Sequence, residues 1–497
     1  MHRLLAIALV TACGVPGVPV LVDAGPLDVR PDPFQGMFDE VAEFPHTNCT
    51  PGSLSGFARA GYWPDLGMRT TSDGVLQTFV AGDTDDLIAE HTLAADDLLV
   101  RVSAVVWTSG GSAWRLKAID LCGVDADGTL RGSVVTCEER FIGSLACDPE
   151  PVTAALLRRI AGEADGDHLV MLGELRGDWP TGVTANLRVE GDIAVLARGL
   201  DGIRIVSVAN PAAPVALAHS HSGNRDVSDV ELVRGVDGRR YVIAGGKPAS
   251  QIIDITDPEH PQLVAEVPFA ADAVAVEGPV AYFVSEASAR IDVYDLSLPP
   301  MPKRIARFEP VGSFAWHDVF VAGGIAYLSD TVGAGLHVVD FRDPNHPLEL
   351  GASSTFAAGT AHEPGLTLVG GASIALDASE GRGSKLRILD GDLAKSTVLD
   401  PISEFQLREL QSIHQIVALG SRVYIAHHRD GVRVLDLSVP SAPVQRGYFN
   451  TWVPGTGGAR FFEGAIGIEL ARARKRIYVS DSIRGLVILE GDATVFP

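Results

Sequence analysis

The chain has 497 residues, of which 46% are hydrophobic and 21% charged, and this excludes a disordered polymer. Lysine and arginine number 40 against 63 aspartates and glutamates, a net charge of −23, which excludes the basic surface that nucleic-acid binding needs. The 53 glycines and 30 prolines imply many turns.

At the start, His2 and Arg3 precede an apolar run from Leu4 to Val10. This is the pattern of an export signal and is too short to span a membrane. Two endings stay open. Val10-Thr11-Ala12-Cys13 resembles a bacterial lipobox, in which Cys13 is the lipidation candidate. Val22-Asp23-Ala24 resembles an ordinary cleavage site. Residues 1–24 are read as the export signal. The mature chain is expected outside the cytoplasm, as an outer-membrane or cell-surface lipoprotein or as a secreted protein. A lipid on Cys13 would be its one link to a membrane.

Residues 25–165 form a β-rich region with four cysteines, Cys49, Cys122, Cys137 and Cys147. An even number in an exported chain implies two disulfides, with three pairings open. Cys122 and Cys137 flank the turn Asp125-Ala126-Asp127-Gly128 and are expected to face each other across a hairpin, leaving Cys49 for Cys147. A zinc site is the weaker use, since no CxxC pair occurs. Strand-like runs lie at Val75–Val80 and Leu98–Trp107, and a short helix is expected over Val152–Ala164, after Pro149 and Pro151.

Residues 166–497 are dominated by a repeat. Ile205-Val206-Ser207, Ile252-Ile253-Asp254, Val293-Tyr294-Asp295, Val338-Val339-Asp340 and Val434-Leu435-Asp436 are each followed by two prolines at one spacing, four and seven residues after the last residue of the triplet. Ile388-Leu389-Asp390 and Ile488-Leu489-Glu490 are copies without the prolines. The copies lie 47, 41, 45, 50, 46 and 54 residues apart. Each unit reads as strand, tight turn, strand, loop, strand, Pro-rich turn, strand, in runs that alternate at period two. Four antiparallel strands per 40–50 residues is the pattern of a β-propeller blade. The expected fold is all-β, a seven-bladed β-propeller of four-stranded blades with a smaller disulfide-containing N-terminal region. The last copy ends without room for a fourth strand, and Leu169–Leu175 is expected to fill that place and lock the ring.

The motif I-V-D-x-x-x-P-x-x-P, with a preceding strand such as Gly335-Leu336-His337-Val338-Val339-Asp340, resembles the LVIVD repeat. The resemblance implies an exported bacterial propeller and says little about activity.

By analogy with other propellers, ligands sit where inner strands start and second strands end, at the mouth of the channel. Aligning the repeats puts His317, His414, Asp229 and Asp272 at inner-strand starts, His362 two residues upstream of the start at Pro364, and Asp330, Asp377, His427 and Asp481 at second-strand ends. Imidazole and carboxylate together suit a divalent metal ion such as zinc, manganese or iron. The bland reading is a solvated channel rim. No GxSxG, Walker or HExxH motif occurs. Asp254, Asp295, Asp340 and Asp436 recur with the repeat and read as turn residues, as do His260 and His346. Two functions follow. One is an extracytoplasmic binding or scaffold propeller that presents loops to a protein or glycan. The alternative is a metal-dependent hydrolase of the lactonase or esterase type that uses the His/Asp cluster.

Overall fold

The computed structural model describes residues 33–35, 37, 44, 47–49, 61–66, 68–70, 75–81, 86–92, 99–108, 111–141, 144–176, 185–220, 226–310, 314–332, 335–354, 360–395, 398–454 and 461–497. The export signal and Cys13 lie outside these residues. The chain divides into two units, one comprising residues up to Gly162 with Val453–Phe462, the other Glu163–Trp452 with Glu463–Pro497. Among the described residues both are built from β-strands and their connections. The helical structure among the described residues is one 3-10 turn, Arg472–Arg474. No helix of these residues is long and apolar enough to cross a membrane.

The described residues of the first unit form two four-stranded antiparallel sheets. One contains the long strands Leu99–Thr108, Gly111–Val124, Leu130–Phe141 and Ser144–Ala154 in chain order. The helix expected over Val152–Ala164 is not there, because Ser144–Ala154 is the edge strand of this sheet and no helix follows it. Pro149 and Pro151 pair with Val135 and Ser133. An edge strand tolerates prolines, since one of its sides needs no ladder donors.

The cysteines pair differently from the expectation. Cys49 is joined to Cys122, and Cys137 to Cys147. The register explains the correction. Across the hairpin Cys137 stands opposite Leu116, whereas in the next ladder it stands directly opposite Cys147. Cys122 lies at a bulge between Leu121 and Gly123 and turns to Cys49 instead.

The described residues of the second unit form seven antiparallel sheets, six of them meanders in chain order and the seventh completed by a strand from the start of the unit, with a two-residue fifth strand on the sixth. The first strands of sheets 1 to 7 are Leu187–Glu190, Asp226–Arg234, Ala273–Glu277, Trp316–Ala322, Thr360–Val369, Ile416–Leu419 and Ala465–Ala471. Each touches the next, and the seventh touches the first. Hydrophobic cores lie between every pair of neighbouring sheets, including the last and the first, where Tyr478, Leu486 and Ile488 pack on Leu187, Ala194 and Leu196. The alternating apolar positions of each sheet are thereby buried on both faces, which no single four-stranded sheet achieves alone. This closed ring of sheets is the β-propeller architecture.

The turn aspartates act as read from the repeat. Asp254, Asp295, Asp340, Asp390 and Asp436 each accept a hydrogen bond from the backbone N–H two residues on, at 2.8–3.0 Å. These are Asx turns that start the link to the fourth strand.

The last sheet takes its outer strand from the beginning of the unit. Leu169–Leu175 pairs antiparallel with Gly485–Gly491. Just before it, Gly166 and Asp167 pair with Phe449 and Tyr448 at the edge of the sixth sheet. The segment is fixed further by Glu163, whose carboxylate accepts from the fully buried Arg433 at 2.5 and 3.1 Å. Asn450 donates to Glu163 and to the carbonyl of Ala164. One stretch thus bridges sheets 6 and 7.

Candidate functional site at the mouth of the ring

The inner strands do not run straight into the mouth. The ladders shift register between Val227 and Asp229, Trp316 and Val319, Ala361 and Glu363, and Ala465 and Gly467. Such bulges insert unpaired residues and re-aim their side chains. In the fourth and fifth sheets the inserted residues include His317 and His362. In the sixth sheet His414 lies just before the strand, its N–H bonded to the carbonyl of Ala426.

These three histidines come together. His317 Nε2 lies 2.9 Å from His362 Nε2. The rings of His362 and His414 are 4.5 Å apart, centre to centre, and those of His414 and His428 are 5.5 Å apart. Glu380, at the end of the second strand of sheet 5, reaches both sides of the group. One carboxylate oxygen is 3.4 Å from His362 Nε2 and the other 3.3 Å from His428 Nε2. Behind the group, His317 Nδ1 is 2.8 Å from Glu286, to which Thr331 also donates.

The polar surface continues into sheets 3 and 2. Asp272 accepts from Lys247 at 2.6 Å and from the backbone N–H of Glu286. Lys247, Asp272, Glu286, His317, His362, Glu380, His414 and His428 thus form one arc contributed by five consecutive sheets.

Burial sets the charge states. It pushes the His362 and His428 imidazoles well below the ordinary value, and neighbouring histidines add to the effect. Burial also pushes the Glu380 carboxyl up to about 8, against the pull of His317. Glu286 is pushed up most by burial, but the hydrogen bond and charge of His317, with Lys247 and the Thr331 hydroxyl, together outweigh it and hold the carboxyl below its usual range. Asp226 is raised to about 6 by burial, with Lys247 opposing. His362 and His428 are therefore neutral at pH 7, and Glu286 is held ionised.

The other sequence-predicted positions fall elsewhere. Asp229 lies one residue further down the inner strand. There it accepts from Asn186 at 2.5 Å and from the backbone N–H of Val274 at 2.8 Å. It lines a cavity of ≈ 240 Å³ walled by the inner strands of all seven sheets, with carboxylates Asp229, Glu231, Asp318, Glu363 and Glu469 around Arg188. Asp330 accepts from the backbone N–H groups of Ala315 and Val332. Asp481 does the same for Ile483 and Arg484. Asp377 pairs with Arg387 across the sheet. His427 is buried with Nδ1 3.8 Å from Asp430. These four side chains serve turns and ion pairs, not the cluster, because successive residues of a strand point to opposite faces. The residues on the mouth side are the next ones, Glu286 after Ser285, which ends the second strand of sheet 3, and His428 after His427, or three on in the longer hairpin, Glu380 after Asp377. Glu286, Glu380 and His428 carry no motif of their own. The signal that would have found them is the alternation counted one residue further, or three further in the longer hairpin of sheet 5.

Among the described residues, two sets of donors lie close enough to hold one ion: His362, Glu380 and His414, all buried, and Asp318, His362 and Glu363.

In sequence, the family model of the LVIVD repeat matches residues 316–355 and 413–451, which span the fourth and sixth sheets. The chain thus carries the LVIVD repeat and is a propeller-type protein. No curated protein sequence matches it. Among solved structures it is similar to the WD40 β-propeller domain of Doa1, with 11% identity over 66% of this chain and 98% of that one and a TM-score of 0.48. It is also similar to BamB from Moraxella catarrhalis, at 10% identity over 65% and 97% with a TM-score of 0.42. A putative 6-phosphogluconolactonase from Bacteroides fragilis matches at 14% identity over 63% and 92%, with a TM-score of 0.45.

Proposed function

We propose that this chain is an extracytoplasmic seven-bladed β-propeller that works as a binding protein, with its ligand seated on the mouth of the ring. Seven sheets in cyclic contact support the blade count. Two disulfides support an oxidising location. The observation that carries the reading is the arc from Lys247 to His428. Five sheets each bring a buried or half-buried ionisable group to one mouth, and fold stability alone does not require such a concentration. The partner is a protein or glycan of the cell surface.

Differential capture tests this. Immobilised full-length chain is incubated with a cell-envelope extract and, separately, with a glycan array, beside a Lys247→Ala/His317→Ala variant of matched melting temperature. A ligand retained by the wild type and lost at least tenfold by the variant is the expected result. A ligand retained equally by both places the binding surface away from the mouth.

A second reading, a metal-dependent hydrolase of the lactonase or esterase type, is favoured by the position of Glu380 between two histidine Nε2 atoms. Turnover of ester or lactone substrates that disappears in Glu380→Gln would support it.

A further inference from the structure

We propose that the mouth holds a single late first-row divalent ion, such as zinc or copper, through His362, His414 and Glu380, with His317 and His428 completing the shell. This rests on the reading of the mouth as the ligand site, and it names an inorganic ligand there.

The first argument is spacing. Donors about 2.05 Å from a four- or five-coordinate zinc stand roughly 2.9 to 3.6 Å from one another. Glu380 lies 3.4 Å from His362 Nε2 and 3.3 Å from His428 Nε2, and the donor atoms of His362, Glu380 and His414 all lie within 4.8 Å. The donors come from two adjacent sheets and three separate strand ends or turns. No local turn motif accounts for their meeting.

The second argument is the wiring behind the donors. His317 Nδ1 faces the Glu286 carboxylate at 2.8 Å, so the ring donates there and turns the lone pair of Nε2 into the cluster. A carboxylate behind an imidazole is the usual outer support of a metal-bound histidine. It fixes the tautomer and orientation and raises the basicity of the ligand.

The third argument is donor chemistry. Four imidazoles and one carboxylate favour zinc, copper, nickel or iron over calcium or magnesium, which take oxygen shells. Two facing imidazole nitrogens at 2.9 Å need a proton between them, whereas one cation satisfies every lone pair that converges here.

The test uses the full chain stripped with chelator and then titrated with Zn(II), with bound metal measured by elemental analysis after gel filtration. One equivalent is expected in the wild type. His362→Ala and His428→Ala should each weaken binding at least 100-fold, while His346→Ala, an exposed turn histidine, binds as the wild type does. Near-UV circular dichroism of the stripped variants establishes that they are folded. X-ray absorption of the loaded wild type gives a readout that needs no variant and should show at least two imidazoles at about 2.0 Å. No retained zinc, unchanged affinity in both folded variants, or a shell without imidazole would overturn the proposal. A partner captured at the mouth by a metal-free chain would sink the metal site and leave the binding reading standing. A bound ion without any mouth-dependent partner would do the reverse.

Discussion

His317 and His362 face each other through their Nε2 atoms at 2.9 Å, from bulged positions on neighbouring inner strands. Glu286 holds the far nitrogen of His317. Glu286 meets the cluster through His317 Nδ1, so it acts by positioning that ring. Replacing it with alanine should lower zinc affinity by roughly 10- to 100-fold. Glu286→Gln keeps an acceptor oxygen for His317 Nδ1 and should recover most of that loss. Calorimetry on the two variants separates positioning from packing, since a packing defect would lower the melting temperature and would not be rescued by the amide.

His427 shows how the same sequence pair splits between two roles. His428 points at Glu380, and His427 is buried away from the cluster. Burial lowers the His427 imidazole to about 4, with Asp430 opposing. Between pH 4 and 6.5 the unfolded chain therefore binds a proton that the folded chain does not. Stability from this residue is present above pH 6.5 and is lost as pH falls, by at most about 3 kcal/mol. In chelated buffer the wild type should lose melting temperature between pH 6.5 and 4 more steeply than His427→Gln. Parallel curves would show that His427 is not a buried neutral base.

The ring and its mouth were legible in the sequence to different depths. The Asp-x-x-x-Pro-x-x-Pro spacing exposes the third strand and its turn, because an Asx turn and a proline-bearing link need those residue types at those distances. The inner-strand histidines follow from counting back along that repeat. Second-strand ends do not follow so simply, since a count wrong by one residue exchanges Ser285 for Glu286 and His427 for His428, and thereby the two faces of the strand. Inserted residues at the bulges add a further shift that no propensity marks, as at Ser228, where the count lands on Asp229. The cysteine pairing failed for a similar reason. A turn between Cys122 and Cys137 fixes that a hairpin exists, but the ladder register decides who stands opposite whom.

Digestion of the unreduced chain should release linked peptides Cys49–Cys122 and Cys137–Cys147, and no peptide joining Cys122 to Cys137. The bridges enclose 73 and 10 residues of sequence separation. In the chain-entropy account these are worth about 4 and about 3 kcal/mol to the unit that contains them. Reduction should therefore lower the melting of the N-terminal unit. The ring contains neither bridge, and its transition should stay in place.

Closure of the ring depends on chain from outside the repeat. Leu169–Leu175 completes the last sheet, and Glu163 is the carboxylate partner of the fully buried Arg433. Removing one partner of a buried pair leaves the other charge in a low-dielectric site. Arg433 keeps bonds to the carbonyl of Asp430 and to Asn450, so part of that cost is met. Glu163→Ala should then cost about 3 kcal/mol, roughly 4 °C in a ring of this size. A chain beginning at residue 176 loses the outer strand as well and exposes Val487 and Leu489 along an unpaired edge. It should melt well below the single variant and aggregate on standing. Equal melting temperatures for the truncated and full chains, read by circular dichroism, would show that the ring closes without this segment.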